Sequence, residues 1–528
     1  MIRSSSTPSP TPGPTISPTD SPTAGPTATP ETPAWIQDKS GILPGQNLSL
    51  SPGTPFSLKG IALDDRITTL SFNNNNQAYL AFINPGDGMA WLDGAWQGSN
   101  VYAASLESAR GDFQTPAEKS AARRSSRPIR LGTSSSRRVR VRSLPQIGDK
   151  VSIKMYVSSA NTVKSKPTTV KKADSYSSDG KIINFAILVD DDDLAVVNDS
   201  VLTNLSAEIK GNILPKVTNK LGEAPPGNAA GLALNDDGTL YFCISREVDG
   251  DDSGTLGFFA AIDLTDDIES NRKNIVFIAP GPLASPGKEP QVYSTVAHEY
   301  AHLVFFWQRA KVLGATVYQG VFNNQQETWL TEGFSTLTTA LCGYGPDDAN
   351  GGANPQADPV LLQHVYNYIN APQRTSLFPF TSYGMSFLFT HYLQDRYGNE
   401  VLKEVMQSQK WSSSYSAVSD VLEKHGSNFY QFFRDFAIAL LLDGTLSESA
   451  TYRIGEVNLR GTYRLRGQQT TFYGPSTIAP GQKNPAAFTA KPWGIGFLGA
   501  YSPSGLTLSV RNGARVNGVV LVPNSPLQ

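Results

Sequence analysis

The pattern of apolar and polar positions changes character several times along the chain. The stretch from Ser4 to Pro33 is almost entirely Ser, Thr, Pro and Gly and carries no apolar periodicity. It has too little apolar surface to offset the entropy of ordering, which predicts an extended, disordered tether over residues 1–34. Short apolar runs then alternate with Gly, Asn and Pro turns, as in Ala78-Tyr79-Leu80-Ala81-Phe82-Ile83, and predict a small β module over 35–118. Arg123, Arg124, Arg127, Arg130, Arg137, Arg138, Arg140 and Arg142 follow among serines. This reads as a linker over 119–146 kept soluble by charge, with a polyanion patch or a processing site as the rival readings.

From Ile147 strand-like and helix-like patterns alternate. Lys181 to Val189 reads as a buried strand, Val201 to Leu221 as an amphipathic helix, and Leu240 to Ser245 and Asn274 to Ala279 as further strands. Gln291 to about Leu442 is mainly helical, with segments ending at Gly314, Gly343 and Gly398. Strands first and helices after is the α+β order, here over 147–445. Over 446–528 short alternating runs return, such as Leu506 to Val510 and Val516 to Val522, and predict a carboxy-terminal β-sandwich-like module.

Composition narrows the function classes. A chain of 528 residues has room for several domains and a large core. Its formal net charge of -2 supplies no basic field, which argues against a nucleic-acid partner. With only Cys243 and Cys342, at most one disulfide can form, and both a disulfide scaffold and a cysteine-based zinc module are excluded. No apolar run reaches the roughly eighteen residues of a membrane span. The amino terminus also lacks the apolar stretch of a secretory signal. Tethers of this composition commonly follow an export signal or lipid anchor. The expectation is therefore a secreted or cell-surface-associated protein whose signal was removed or lies upstream, with a cytoplasmic protein carrying an idle tail as the rival.

The sharpest chemical signal is His298-Glu299-Tyr300-Ala301-His302, inside a stretch from Val292 to Ala310 that reads as a helix. Two histidines four apart lie on one face, one turn from each other, and can reach one ion. Glu299 beside them can take a proton from a water activated there and pass it to a leaving amine. A catalytic zinc takes three protein ligands and leaves a position for water, so a third ligand is required. The next helix-like segment, Glu327-Thr328-Trp329-Leu330-Thr331-Glu332-Gly333-Phe334-Ser335, offers carboxylates. Glu327, near a helix start, suits a dipole-stabilising role or an outer contact to a ligand histidine.

The segment Thr295 to His302, followed by Glu327 to Ser335, resembles the hyicolysin family of gluzincin metallopeptidases. Supporting similarity runs through Gly257-Phe258-Phe259 to Asp263 upstream and through Ser382 to Leu393 and Arg396-Tyr397-Gly398 downstream, so that it covers about residues 180 to 445. The resemblance implies one zinc ion held by His298, His302 and Glu332, with Glu299 as general base. It implies a thermolysin-like zincin unit, a mixed sheet over a helical lower half, here flanked by all-β modules. It also implies secretion and a peptide or protein substrate. In such enzymes a tyrosine or histidine from a later helix donates to the oxyanion, a role that falls to Tyr383, with Tyr392 or His391 as alternatives. No Gly-x-Met-Glu-Asn segment precedes His298, which favours an endopeptidase over a zinc aminopeptidase. A non-catalytic surface binding protein on the same fold is the remaining rival, and the presence of Glu299 argues against it.

Acidic clusters at Asp190 to Asp193, Asp236-Asp237-Gly238 and Asp249 to Asp252 have the oxygen-rich composition that suits Ca2+. None fits the twelve-residue EF-hand loop, and solvated turns are the default reading.

Overall fold

The computed structural model describes residues 47–50, 56–72, 77–86, 89–97, 102–103, 144–157, 162–178, 180–226, 232, 238–249, 254–265, 267–285, 287–314, 328–346, 354–410, 413–443, 452–455, 457–465, 468–477, 486–501, 503–511 and 514–523. The expectations for the tether, for the arginine-rich linker as far as residue 143, and for Glu327 lie outside these residues.

Six strands come first: β1 (Asn47–Leu50), β2 (Phe56–Leu63), β3 (Thr68–Phe72), β4 (Gln77–Ile83), β5 (Ala90–Gln97) and β6 (Tyr102–Ala103). The next six, β7 (Lys150–Val157), β8 (Thr162–Ser178), β9 (Lys181–Asp190), β10 (Leu240–Ile244), β11 (Gly257–Phe259) and β12 (Asn274–Ile278), form one mixed sheet in the order β11-β12-β10-β9-β8-β7. Strands β9, β10 and β12 run parallel, and antiparallel partners close both edges. In β9 the period of two is direct. Phe185, Ile187 and Val189 enter the large core shared with the helices, while Ala186 and Leu188 enter a smaller cluster on the opposite face.

Between β9 and β10 the predicted amphipathic helix forms as α1 (Asp199–Glu208) and α2 (Leu214–Leu221), separated by a π-helical turn over Ile209–Ile213. That turn faces a second π-helical segment, Ala340–Tyr344, and Asn212 Nδ2 donates to the Cys342 carbonyl at 2.9 Å. The helical half comprises α3 (Glu289–Leu313), α4 (Thr328–Thr339), α5 (Pro359–Asn370), α6 (Tyr383–Tyr397), α7 (Glu400–Gln407), α8 (Ser414–Lys424) and α9 (Phe429–Leu442). Gly314 and Gly398 follow α3 and α6 at φ of 85° and 84°, as helix ends favour.

The last strands are β13 (Thr462–Leu465), β14 (Gln468–Thr471), β15 (Ala486–Ala490), β16 (Ile495–Tyr501), β17 (Gly505–Val510) and β18 (Val516–Pro523). Here the structure departs from two separate flanking modules. One five-stranded sheet has the order β1-β3-β17-β5-β15 and the other β2-β18-β4-β16-β6, so strands from both ends of the chain interleave in a single sandwich. The physical reason lies in the pairing: β17 bonds β3 and β5, and β18 bonds β2 and β4, so the strands of either end find partners at the other.

The sandwich is also not detachable from the helices. Ala78, Leu80 and Phe82 of β4 fill its interior. Tyr79, Ala81 and Ile83 point the other way, into the core shared with the helical half, as do Ile495, Phe497, Val519 and Leu521. Exposing that face would cost on the order of 10 kcal/mol at ~1.5–3 kcal/mol per large apolar side chain. This is comparable to the whole stability of a typical domain. Sheet, helices and sandwich therefore share one core.

Candidate metal centre

Helix α3 starts with Pro290 in its first turn and is closed by Gly314, whose N–H donates to Ala310 O at 2.9 Å. Beyond Val296 nearly all of its circumference is buried, while His298 and Glu299 remain half-buried. Helix α4 packs against it through Phe334, whose ring meets Phe305 edge-on at 5.4 Å. The other side of α4 is held by Thr390 of α6, whose hydroxyl donates to Gly333 O at 3.0 Å, and by Trp329 Nε1, which donates to Ser414 Oγ at 2.6 Å.

This packing brings three predicted residues together. His298 Nε2 lies 3.1 Å from His302 Nε2 and 3.2 Å from Glu332 Oε2, and the third edge, His302 Nε2 to Glu332 Oε2, is 3.4 Å. Among the described residues this is the one group of His, Cys, Asp and Glu gathered closely enough to hold a metal ion. A tetrahedral ion with nitrogen and oxygen ligands at ~2.0–2.1 Å places neighbouring donors roughly 3.3–3.4 Å apart, so the triangle has the size zinc requires. Two neutral imidazoles and one carboxylate are also the donor chemistry that suits zinc.

The three groups are strongly coupled electrostatically. Burial alone would push the Glu332 carboxyl up, but the His302 and His298 imidazoles reverse this and hold it well below the usual carboxylate range. For His298 burial works downward, and the hydrogen bond to Glu332, with the charges of Glu299, Glu332 and Asp358, raises it. His302 is oriented from behind: its Nδ1 lies 2.8 Å from Thr331 Oγ1, and Nε2 faces the shared centre.

Glu299 stands beside the triangle and against the edge strand β11. A Cβ added at Gly257 would come within 2.6 Å of Thr295 Cγ2 and 3.2 Å of Glu299 Cγ, so only glycine lets the strand approach here. Tyr383 opens α6, which Ser382 caps by accepting from Met385 N–H at 3.2 Å. Its ring lies 6.5 Å from that of His298, stacks on His364 at 4.8 Å and 26°, and meets Phe380 edge-on at 5.0 Å. The approach of α5 and α6 that makes the stack depends on Gly384, where a Cβ would sit 2.1 Å from His364 O. Burial, with the charge of His298, pushes the His364 imidazole down to about 4, so it is neutral beside Tyr383 at ordinary pH.

The alternatives to Tyr383 lie elsewhere. His391 pairs with Asp395 at 3.0 Å, and Tyr392 packs on Phe432 and Phe436 with centroids 5.1 and 5.9 Å away. Thr331 and His364 escaped the sequence reading. Thr331 had only its place before Glu332 to mark it, and His364 had no local signal.

The acidic run Asp190 to Asp193 is engaged by cations of the chain itself. Lys150 pairs with Asp191 at 2.7 Å, Lys166 with Asp192 at 2.7 Å and with Asp190 at 3.7 Å, and Arg246 with Asp193 at 2.5 Å. These carboxylates already have partners, so calcium finds no support there. Asp236, Asp237 and residues 250–252 lie outside the described residues.

No family model matches the chain. It is 25% identical over 253 residues to the neutral metalloprotease ShpI of Staphylococcus hyicus, an alignment covering 46% of this chain and 54% of that protein. The chain thus spans about half the length of this curated relative. Among solved structures, a two-domain M1 zinc metallopeptidase with bound L-tryptophan aligns over 72% of this chain and 64% of that one, at 10% identity and a TM-score of 0.29. A likeness that low carries no argument.

Proposed function

We propose that this protein is a zinc-dependent endopeptidase that hydrolyses peptide bonds with Glu299 as general base. The observation that carries the reading is the triangle of His298, His302 and Glu332 donor atoms at zinc-ligand spacing, with Glu299 next to it on the same helix. The similarity to a neutral metalloprotease over the relative's aligned half supports it. Zinc, when bound, supplies a Lewis acid that makes a water more acidic and polarises the scissile carbonyl.

The chain's own residues do the rest. His298, His302 and Glu332 hold the ion, and Thr331 holds the tilt of the His302 ring. The Glu299 carboxylate accepts the proton of the attacking water and returns it to the leaving amine. The Tyr383 phenol donates to the oxygen on which negative charge develops, a bond that strengthens as the transition state forms. The half-buried setting of His298 and Glu299 leaves them within reach of a substrate. The Ser-, Thr- and Pro-rich stretch near the amino terminus fits an exported protein held at a surface. No helix among the described residues is long and apolar enough to cross a membrane.

The test is to compare the parent with Glu299→Gln on a casein-type protein and on amino-blocked peptides, with zinc measured in both. The amide keeps the side chain's shape but cannot accept the proton. The parent cleaves blocked peptides, and the variant keeps its zinc while losing hydrolysis. Undiminished hydrolysis by the variant would contradict the role of Glu299, and activity restricted to free-amine peptides would point to an aminopeptidase.

A further inference from the structure

One turn of the sandwich reaches the segment that leads into Tyr383. Gly494 N–H donates to Lys491 O at 3.0 Å, closing a four-residue turn with Pro492 second and Trp493 third. Trp493 has φ of 48°, the left-handed region in which glycine is the usual occupant of a turn's third position. A large side chain held there against the backbone's preference calls for a compensating contact. The indole supplies it. It is 7% exposed and sits among Phe378, Phe429, Tyr430, Tyr415 and Phe433, with ring centroids 4.6, 5.2, 5.4, 5.7 and 5.8 Å away.

The same turn clamps the segment that leads into α6. Leu377 N–H donates to Trp493 O at 3.1 Å, and Ser376 Oγ donates to Pro492 O. Within that segment Ser376 N–H donates to Thr381 Oγ1 at 2.6 Å, and Phe380 meets the Tyr383 ring edge-on. Phe378 touches Trp493 on one side and, at 5.8 Å, Trp329 on the other, three residues before Glu332. The turn's carbonyls thus hold the loop ahead of Tyr383, and its indole packs on Phe378 of that loop, which in turn meets Trp329 on the helix that carries the third donor.

We propose that Trp493 is a positioning residue for the reaction: through the clamped 375–382 segment it sets the Tyr383 phenol relative to the His298, His302 and Glu332 cluster, which makes the β-sandwich a working part of the active centre. The inference rests on the reading of Tyr383 as the oxyanion donor.

The experiment uses the full chain with zinc bound and a peptide substrate. Trp493→Gly and Trp493→Phe are each made alone and in a Tyr383→Phe background, with kcat, KM, zinc content and melting temperature measured. Glycine suits the turn and removes only the ring, so the turn between β15 and β16 is retained. The expected result is a fall in kcat of about tenfold or more for Trp493→Gly at full zinc content, within the range a small misplacement of a catalytic group produces. KM changes little, and Trp493→Phe recovers most of the loss. In the Tyr383→Phe background Trp493→Gly causes no further fall, because both act through one bond. An unchanged kcat in zinc-loaded Trp493→Gly overturns the proposal, and so does the same fold-loss in both backgrounds. If Trp493→Gly does not fold, Ser376→Ala, which deletes one clamp hydrogen bond, is judged in the same way. If Tyr383→Phe alone leaves kcat unchanged, the donor reading itself has failed and the proposal falls with it. Additive losses with an effective Tyr383→Phe overturn the proposal alone.

Discussion

Thr331 Oγ1 and His302 Nδ1 share a hydrogen bond of 2.8 Å, and the residue after Thr331, Glu332, places Oε2 3.4 Å from the other nitrogen of the same ring. One turn of α4 thus both orients the second histidine and supplies the third donor. Thr331→Val keeps the shape and removes the hydrogen-bond partner of Nδ1. Zinc affinity, measured by competition with a chromogenic chelator, should fall roughly 10–100-fold while the fold is retained, and Thr331→Ser should keep it. Unchanged affinity in the valine variant would mean that packing alone orients His302.

Glu332→Ala should reduce zinc content and hydrolysis together, because it removes a ligand and leaves two imidazoles facing each other. Metal analysis after dialysis checks it. Zinc retained at the parent level would move the third ligand elsewhere, with Glu327 the first candidate.

Tyr383→Phe should lower kcat by roughly a hundredfold, as for loss of one oxyanion donor, with zinc content and melting temperature near those of the parent. Steady-state kinetics on zinc-loaded protein decide it. Parent-level kcat would remove Tyr383 from the mechanism and leave its stack on His364 as packing.

Asp263 is buried, and its carboxylate accepts from both Asn271 N–H and Asn271 Nδ2 at 2.8 Å. Burial, against these bonds and the nearby Lys154, pushes its carboxyl up to about 7. A raised folded-state value means that the folded chain holds the proton more tightly than the unfolded one. The contribution is full below the unfolded value near 4 and is lost as pH rises through about 7. Asp263→Asn keeps an oxygen for both donors and cannot ionise. Its urea midpoint should therefore gain on the parent's as pH rises from 4 to 7 and hold a constant lead above that. A constant difference over the whole range would contradict the raised value.

The strands at Lys181 to Val189, Leu240 to Ser245 and Asn274 to Ala279 were legible because each is a continuous apolar run whose partners lie in the same region. His298, Glu299 and His302 were legible because helical spacing alone puts them together. Glu332 needed the resemblance, since nothing local says that α4 packs on α3. The sandwich was not legible as one body. A strand's alternation shows which side chains share a face but not which strand lies beside it, and β17 and β18 find their partners hundreds of residues earlier. The π-helical turn at Ile209–Ile213 was hidden for a similar reason: Val201 to Leu221 keeps its apolar face across it. His364 reaches Tyr383 only through the approach of two helices that Gly384 permits.

The central claim is that the triangle of His298, His302 and Glu332 holds a zinc ion on which hydrolysis depends. The direct measurement is the zinc content of purified protein together with cleavage of a casein-type substrate, before chelation, after chelation, and after zinc is returned. The account predicts about one zinc per chain, activity abolished with the metal and restored with it. Full proteolytic activity in metal-free protein would contradict it.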